Sequence, residues 1–437
     1  MIIHEKAVAS IEFSLCSQSS AIFHTDCFFA RKVNFYRDIF PKKIIDLLMG
    51  KRSGDKVESS NIIKEIVSPY AQDYEFSIEQ RQFDRLYAPL TTEPRFGRFY
   101  PKGLLKGIRG IFKGNSEPFR CTGISDASIT VDFNHPLSHI NGDLTMVIKD
   151  VRRNSGILGG SCTDWMEHIT SGTGMQTRCH GNPTDFFSDE PFRRINEYGD
   201  AGFYKEPRLV THIDDTAISV ISDLYGQILL NGMKVLDLMS SWKSHVPKNL
   251  KLDSLIGLGL NREEMLQNPQ LTDHVIHDLN RDPLLPFADN EFDAVICTVS
   301  IEYLIHPFEV FSEIARILKT DGYFIVTFSN RWFPPKVIRI WTELNDFERM
   351  GIALEYFLRT GLYENLNTFS MRGLPRNEDD QYYREIPYSD PVYAVWGEKG
   401  EESLSCTLQK NMIFLPHFSS GSRSLIGIPI CSGLLRL

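Results

Sequence analysis

The sequence predicts two architectures in series: an α+β, β-rich N-terminal domain, then an α/β doubly wound domain. Three observations carry that reading. Residues 1–150 alternate short apolar runs with turns, residues 151–205 are rich in Gly, Ser and mixed charge, and residues 233–330 repeat strand, loop and helix. The divisions are 1–150, a linker at 151–205, 206–398, and a patternless tail at 399–437.

In the first division, Ala9 to Leu15 alternates as a strand should, with Ile11, Phe13 and Leu15 on one face. Phe40 to Leu48 reads as one short helix, opened by Pro41 and closed by Gly50. Ser128 to Asp132 and Leu144 to Ile148 are further strands, parted by a His-Pro turn and by Asn141-Gly142-Asp143. The linker has room for one helix near Trp165, and Thr211 to Leu230 then carries apolar residues at helical spacing.

From there five strands are expected: Lys234–Met239, Ser254–Leu260, His274–Leu279, Ala294–Ser300 and Tyr323–Ser329. They are rich in Val, Ile and Leu without alternation, as strands buried on both faces are. Pro307 to Leu318 is a helix with Phe308, Phe311, Ala315 and Leu318 on one side, a proline at its start and Gly322 beyond its end. Tyr388 to Trp396 reads as a last edge strand. Such a sheet binds ligands beyond the carboxyl ends of its strands, where the strand order reverses.

Composition narrows the function classes. Among 437 residues, 47 are Lys or Arg and 56 are Asp or Glu, a net charge of −9. A negative field repels phosphate, so nucleic acid is not an expected partner. No apolar run approaches the ~20 residues that cross a bilayer, so no membrane partner is expected. The N-terminus lacks a basic stretch followed by an apolar core, and the eight cysteines form no C-x-x-C pair, which together suggest a cytoplasmic chain without a cysteine metal site.

The first division resembles a known family. Gly50-Lys51-Arg52-Ser53-Gly54-Asp55-Lys56-Val57 resembles the G-x-x-x-G-D-K turn of FKBP-type prolyl isomerases. Thr130-Val131-Asp132-Phe133-Asn134-His135-Pro136-Leu137 is similar to the V-D-x-N-H-P-L signature of the SlyD-like branch. Pro118 to Thr130 resembles that branch's inserted flap. The resemblance implies peptidyl-prolyl isomerase activity, or capture of unfolded polypeptide at the flap, over residues 7–150. The family's active-site helix opening is replaced by Phe40-Pro41-Lys42-Lys43-Ile44, which leaves open a scaffold without catalysis.

The second division resembles class I S-adenosylmethionine-dependent methyltransferases. Leu285-Pro286-Phe287 with Asp289-Asn290-Glu291-Phe292-Asp293-Ala294-Val295-Ile296 fits the family's passage into its fourth strand. The helix from Phe308 with Lys319-Thr320-Asp321-Gly322-Tyr323 fits the passage into its fifth. The resemblance implies S-adenosylmethionine as cofactor and a small-molecule or protein substrate. Asp237-Leu238-Met239-Ser240-Ser241-Trp242 stands where the family has its glycine loop, so Asp237, Ser240 and Ser241 become cofactor candidates despite the missing glycines. Gly259 stands where a carboxylate would take the ribose hydroxyls, with Asn261 two residues on. Asp278 and Leu279 match the pair that meets the adenine. No catalytic base stands out among His245, Glu302, Tyr303 and His306. The alternative is a folding helper in which the methyltransferase fold only binds.

Overall fold

The computed structural model describes residues 1–86, 92–154, 156 and 159–401, so most of the expected tail lies outside the described residues. The chain opens with a long antiparallel hairpin, β1 (Ala7–Ser19) and β2 (Ile22–Asn34). Helix α1 (Lys42–Leu48), strand β3 (Lys56–Ser59) and helix α2 (Ile63–Ile66) follow. Four strands then leave that sheet to form one of their own: β4 (Glu75–Glu79), β5 (Phe99–Pro101), β6 (Pro118–Ile124) and β7 (Ser128–Asp132), in the order β4-β7-β6-β5. Alternation on β6 and β7 turns Phe119, Cys121, Ile129 and Val131 into a small core of their own. Strand β8 (Gly142–Arg153) returns to pair with β1 and β3. The segment expected as a flap is the β6–β7 hairpin.

The Asn134-His135-Pro136 motif makes a turn. Asn134 Oδ1 accepts from the Ala71 amide, its Nδ2 donates to the Ala71 carbonyl and to Asp132, and His135 Nδ1 accepts from the Leu137 amide. These bonds pin the loop at both ends.

Residues 151–205 are not the linker that their composition suggests. They hold α3 (Trp165–Thr170) and α4 (Asp200–Phe203), and Met166, Ile169, Met175 and Phe186 are buried. Met166 and Ile169 complete the core of the first half, while Met175 and Phe186 belong to that of the second. In the second Gly-rich run, Gly172 lies close against Phe347 and Gly174 against Pro136 and Leu137, whereas Gly159 in the first run meets nothing within 4 Å.

The second half contains α5 (Asp215–Ile228), β9 (Lys234–Leu238), β10 (Ser254–Gly259), α6 (Arg262–Leu266), β11 (Asp273–Ile276) and β12 (Phe292–Thr298). Then come α7 (Pro307–Ile317), β13 (Leu318–Phe328), α8 (Arg339–Glu343), α9 (Asp346–Thr360), β14 (Tyr363–Arg372) and β15 (Val392–Lys399). Strands β9 to β13 are parallel and β15 runs against both of its neighbours. The order β11-β10-β9-β12-β13 reverses direction at β9, which is the switch point of a doubly wound sheet.

The two halves share one sheet. Among the described residues its order is β11-β10-β9-β12-β13-β15-β14-β2-β1-β8-β3, eleven strands. The joint is a parallel pairing of β14 with β2, from Asn367 opposite Phe23 to Arg372 opposite Phe28. Two buried polar pairs cross it. His24 Nδ1 meets Thr368 Oγ1 at 2.7 Å, and Ser370 Oγ donates to Asp26 Oδ1 at 2.8 Å. The expected pair of separate domains is therefore corrected: pairing of β2 with β14 removes an open edge from each half.

Candidate cofactor-binding site

The carboxyl ends of β9, β10, β11 and β12 open onto one cleft. Every cofactor candidate from the sequence lines it: Asp237, Ser240, Ser241, Gly259, Asn261, Asp278 and Leu279. They do not all face it with free groups.

Asp237 ends β9 fully buried. It accepts from Ser240 Oγ and Ser244 Oγ, both at 2.6 Å, and burial pushes its carboxyl up to about 6. Its work is to tie down the loop that follows. In that loop Met239 takes φ +57°, the left-handed conformation that glycine would adopt without strain. The Ser240 amide donates to the Leu258 carbonyl at 2.8 Å, which draws the loop down over β10.

That descent explains Gly259. A Cβ at this position would lie 2.3 Å from the Ser240 carbonyl oxygen. Glycine stands there because backbone crosses above it, so a carboxylate at this position is sterically excluded. Asn261 is not a ribose ligand either. Its Oδ1 caps α6 by accepting from the Glu264 amide at 3.1 Å, and its Nδ2 donates to the carbonyls of Tyr204 and Lys205. Both ends of the side chain are spent.

The carboxylate missing from position 259 is supplied to the same corner by Glu264. It is buried on the first turn of α6, accepts from Ser241 Oγ at 2.6 Å through Oε2, and accepts from the Arg208 amide at 2.6 Å through Oε1. The sequence reading missed it, although Asn261 three residues before Glu264 is a helix-start signal that points to it. Asp278 follows β11. Its Oδ1 accepts from the Asn280 amide at 3.1 Å, while Oδ2 makes no hydrogen bond among the described residues. Leu279 packs into the main core at the cleft floor.

A roof comes from the stretch read as linker and the residues after it. Asp200 accepts from Arg194, Lys336 and Asn280. Burial alone would raise its carboxyl, yet these partners hold it below the ordinary carboxylate range. Arg208 lies over the rings of Phe203 and Phe333, at 4.4 and 4.8 Å, and its Nη1 is buried with no partner among the described residues.

The far wall holds Tyr303, Phe333, His212 and His245. Tyr303 and Phe333 stack at 6.0 Å, and the Tyr303 hydroxyl accepts from the Phe333 amide at 2.8 Å. Burial pushes His245 down to about 4 and lowers His212 as well, so both rings are neutral near pH 7. Glu302 is fully buried behind the cleft, and neither of its carboxyl oxygens has a partner among the described residues. Burial raises it to about 8. His306 stands at the start of α7, away from the cleft lining.

With this geometry in place, likeness to known proteins bears on the family. Residues 259–326 match the family model described as "Methyltransferase domain". The likeness is confined to that stretch, which runs from the end of β10 into β13. The match supports S-adenosylmethionine as its cofactor. A malonyl-[acyl-carrier protein] O-methyltransferase of Marinomonas sp. is 24% identical over 102 residues, which is 23% of this chain and 37% of that relative's length. Solved structures of S-adenosylmethionine-dependent methyltransferases from Mesorhizobium loti and Aquifex aeolicus are similar at 13% and 16% identity. They cover 40% and 46% of this chain, and 96% and 97% of their own, with TM-scores of 0.28 and 0.29. Nothing in these comparisons supports the isomerase resemblance of residues 7–150. No described helix of the chain is long and apolar enough to cross a membrane.

Proposed function

We propose that this chain transfers a methyl group from S-adenosylmethionine to a small-molecule or protein acceptor held against Tyr303 and Phe333. The observation that carries the reading is the meeting of Asp278, Glu264 and the Ser240–Ser241 loop at the strand ends where the sheet order reverses.

The residues present fit the cofactor. Asp278 Oδ2 is an unspent acceptor suited to an adenine amino group. Glu264 adds a buried carboxylate suited to ribose hydroxyls, in the corner where Gly259 cannot. Met239 at φ +57° gives the loop the turn that glycine gives elsewhere, so the absence of glycine does not bar a close approach. When bound, S-adenosylmethionine supplies an electrophilic methyl group on a cationic sulfur. The neutral state of His212 and His245 then matters, since a charged imidazole beside that cation would cost binding. Phe333, Tyr303 and the roof from Tyr204 to Arg208 exclude water and hold the acceptor in line with the transferring group.

Titration calorimetry on the full chain tests this. Binding of S-adenosylmethionine should fall tenfold or more in Asp278→Ala and in Glu264→Gln, since a hydrogen bond to a charged group contributes about 1.5–3 kcal/mol. No heat at millimolar cofactor, with protein that melts cooperatively, would overturn the reading.

A further inference from the structure

A second cavity, of about 1220 Å³, lies where the two halves meet. One wall is the ends of β2 and β8, carrying Arg31, Lys32, Arg152 and Arg153. The opposite wall is Arg331, after β13, and Arg372, at the end of β14. The acidic side chains in its lining are Asp346 and Asp390, and both are neutralised from within the protein. Asp390 accepts from Arg376 and Arg331, and Asp346 accepts from Arg349 and from the Tyr393 hydroxyl. By contrast Arg31, Lys32 and Arg153 are exposed and make no ion pair or side-chain hydrogen bond among the described residues. The Arg372 Nε is buried there without a partner among the described residues. In a chain of net charge −9, this is a concentration of unsatisfied positive charge in a concave place.

Between the cations stand ring faces. Phe28 packs edge-on against Trp165 at 6.3 Å on the floor, and Tyr388, 54% exposed, stands at the opposite rim. Cations alone would suit any polyanion. Guanidinium groups suit phosphate in particular, because their planar fork matches its oxygens in pairs. Rings interleaved with them suit flat bases, which every nucleotide offers and an acidic polypeptide does not. β14 pairs with β2 only as far as Arg372 opposite Phe28, so a short stretch of β2 edge borders the groove, and an added peptide strand is the competing occupant that the test must separate from nucleic acid.

We propose that this groove binds a single strand of nucleic acid, with phosphates on Arg31, Lys32 and Arg153 and bases against Trp165 and Tyr388. The net charge that argues against such a partner is an average over the whole chain, and the groove departs from it. The proposal does not rest on methyl transfer.

Anisotropy of a labelled single-stranded RNA of about 12 nucleotides, titrated with full-length protein between about 50 and 200 mM salt, tests it. Saturable binding is expected, with log affinity falling linearly in log salt. The triple change Arg31→Glu, Lys32→Glu and Arg153→Glu should weaken it at least tenfold and flatten the salt slope by about 2, at ~0.7 for each phosphate no longer held by a cation. Its melting temperature and its heat of S-adenosylmethionine binding should stay as in the parent. Tyr388→Ala should weaken binding about fivefold with the slope unchanged, as removal of a stacking ring does. Absence of binding at low salt would overturn the proposal. So would affinity that the triple change leaves intact. A poly-glutamate of equal length that competes as well as RNA does would overturn it too, and would show an acidic polypeptide to be the partner.

Discussion

Gly259 and Ser240 constrain each other through main-chain atoms. Since the Ser240 carbonyl would stand 2.3 Å from a Cβ, Gly259→Ala must push the whole loop away from β10. Overpacking of this kind costs about 1–3 kcal/mol. The variant should melt lower by that amount and lose cofactor binding, whereas a surface alanine on α6 should do neither. Loss of stability with unchanged cofactor affinity would show that the loop does not serve the site. Asp237 gives a pH test at the same spot. Its carboxyl is raised to about 6 by burial, above its unfolded range near 3.8. The folded state therefore prefers the protonated form, and stability from this group is full below 3.8 and lost as pH rises toward 6. Urea midpoints for Asp237→Asn should lack that decline.

Part of this is legible in the residues. Asp278, Asp237, Ser240 and Ser241, all picked from the sequence, line one cleft at the strand ends. Position 259 draws notice for the carboxylate it lacks, because a sequence does not display the backbone crossing above it. Asn261 looks like a ligand, yet it is a helix cap, and Glu264 three residues later carries the charge. A cap and a ligand use the same side-chain oxygen, so spacing alone does not separate them.

Among the elements, the β2–β14 joint has the most consequence. His24 sits in it, buried between Ser19 and Thr368, and burial pushes its imidazole down to about 4. A lowered histidine contributes stability that is full above its unfolded value near 6.5 and is lost as pH falls toward 4. Hydrogen exchange of the β14 amides should therefore accelerate between pH 6.5 and 4. His24→Gln should remove most of that acceleration, worth roughly 3 kcal/mol at 1.36 kcal/mol per pKa unit. Persistence of the full effect in the variant would assign it to His135 or His245, which burial lowers similarly. Periodicity locates α7 and strands β9 to β13 within a few residues, since each carries its own apolar pattern. It misses α9, although Asn345 caps its start and Gly361 closes it in the left-handed conformation. It misses β14 as well, where Tyr363–Arg372 mixes Glu, Asn, Thr and Ser with apolar residues. A strand buried by a partner some 340 positions away leaves no local trace of that partner.

At the scale of the molecule, a shared sheet predicts shared unfolding. Calorimetry should show one transition for the full chain, in place of the two that separate domains would give. Residues 1–205 made alone should expose the edge of β2 from Phe23 to Phe28 and self-associate, as unguarded edges do. Two resolved transitions, or a monomeric and soluble N-terminal half, would restore the picture of independent units.

The same sheet fixes a direction as well as a distance. From β12, at the cofactor cleft, to β2, at the basic groove, the sheet advances four strand spacings, about 19 Å at ~4.8 Å each. Each step also turns the strands by about 20–25° in one hand, so the accumulated rotation approaches a quarter turn. The loop after β13 nevertheless borders both, with Arg331 on the groove wall and Phe333, two residues on, in the cleft wall, so a molecule seated in either rests on the same short turn.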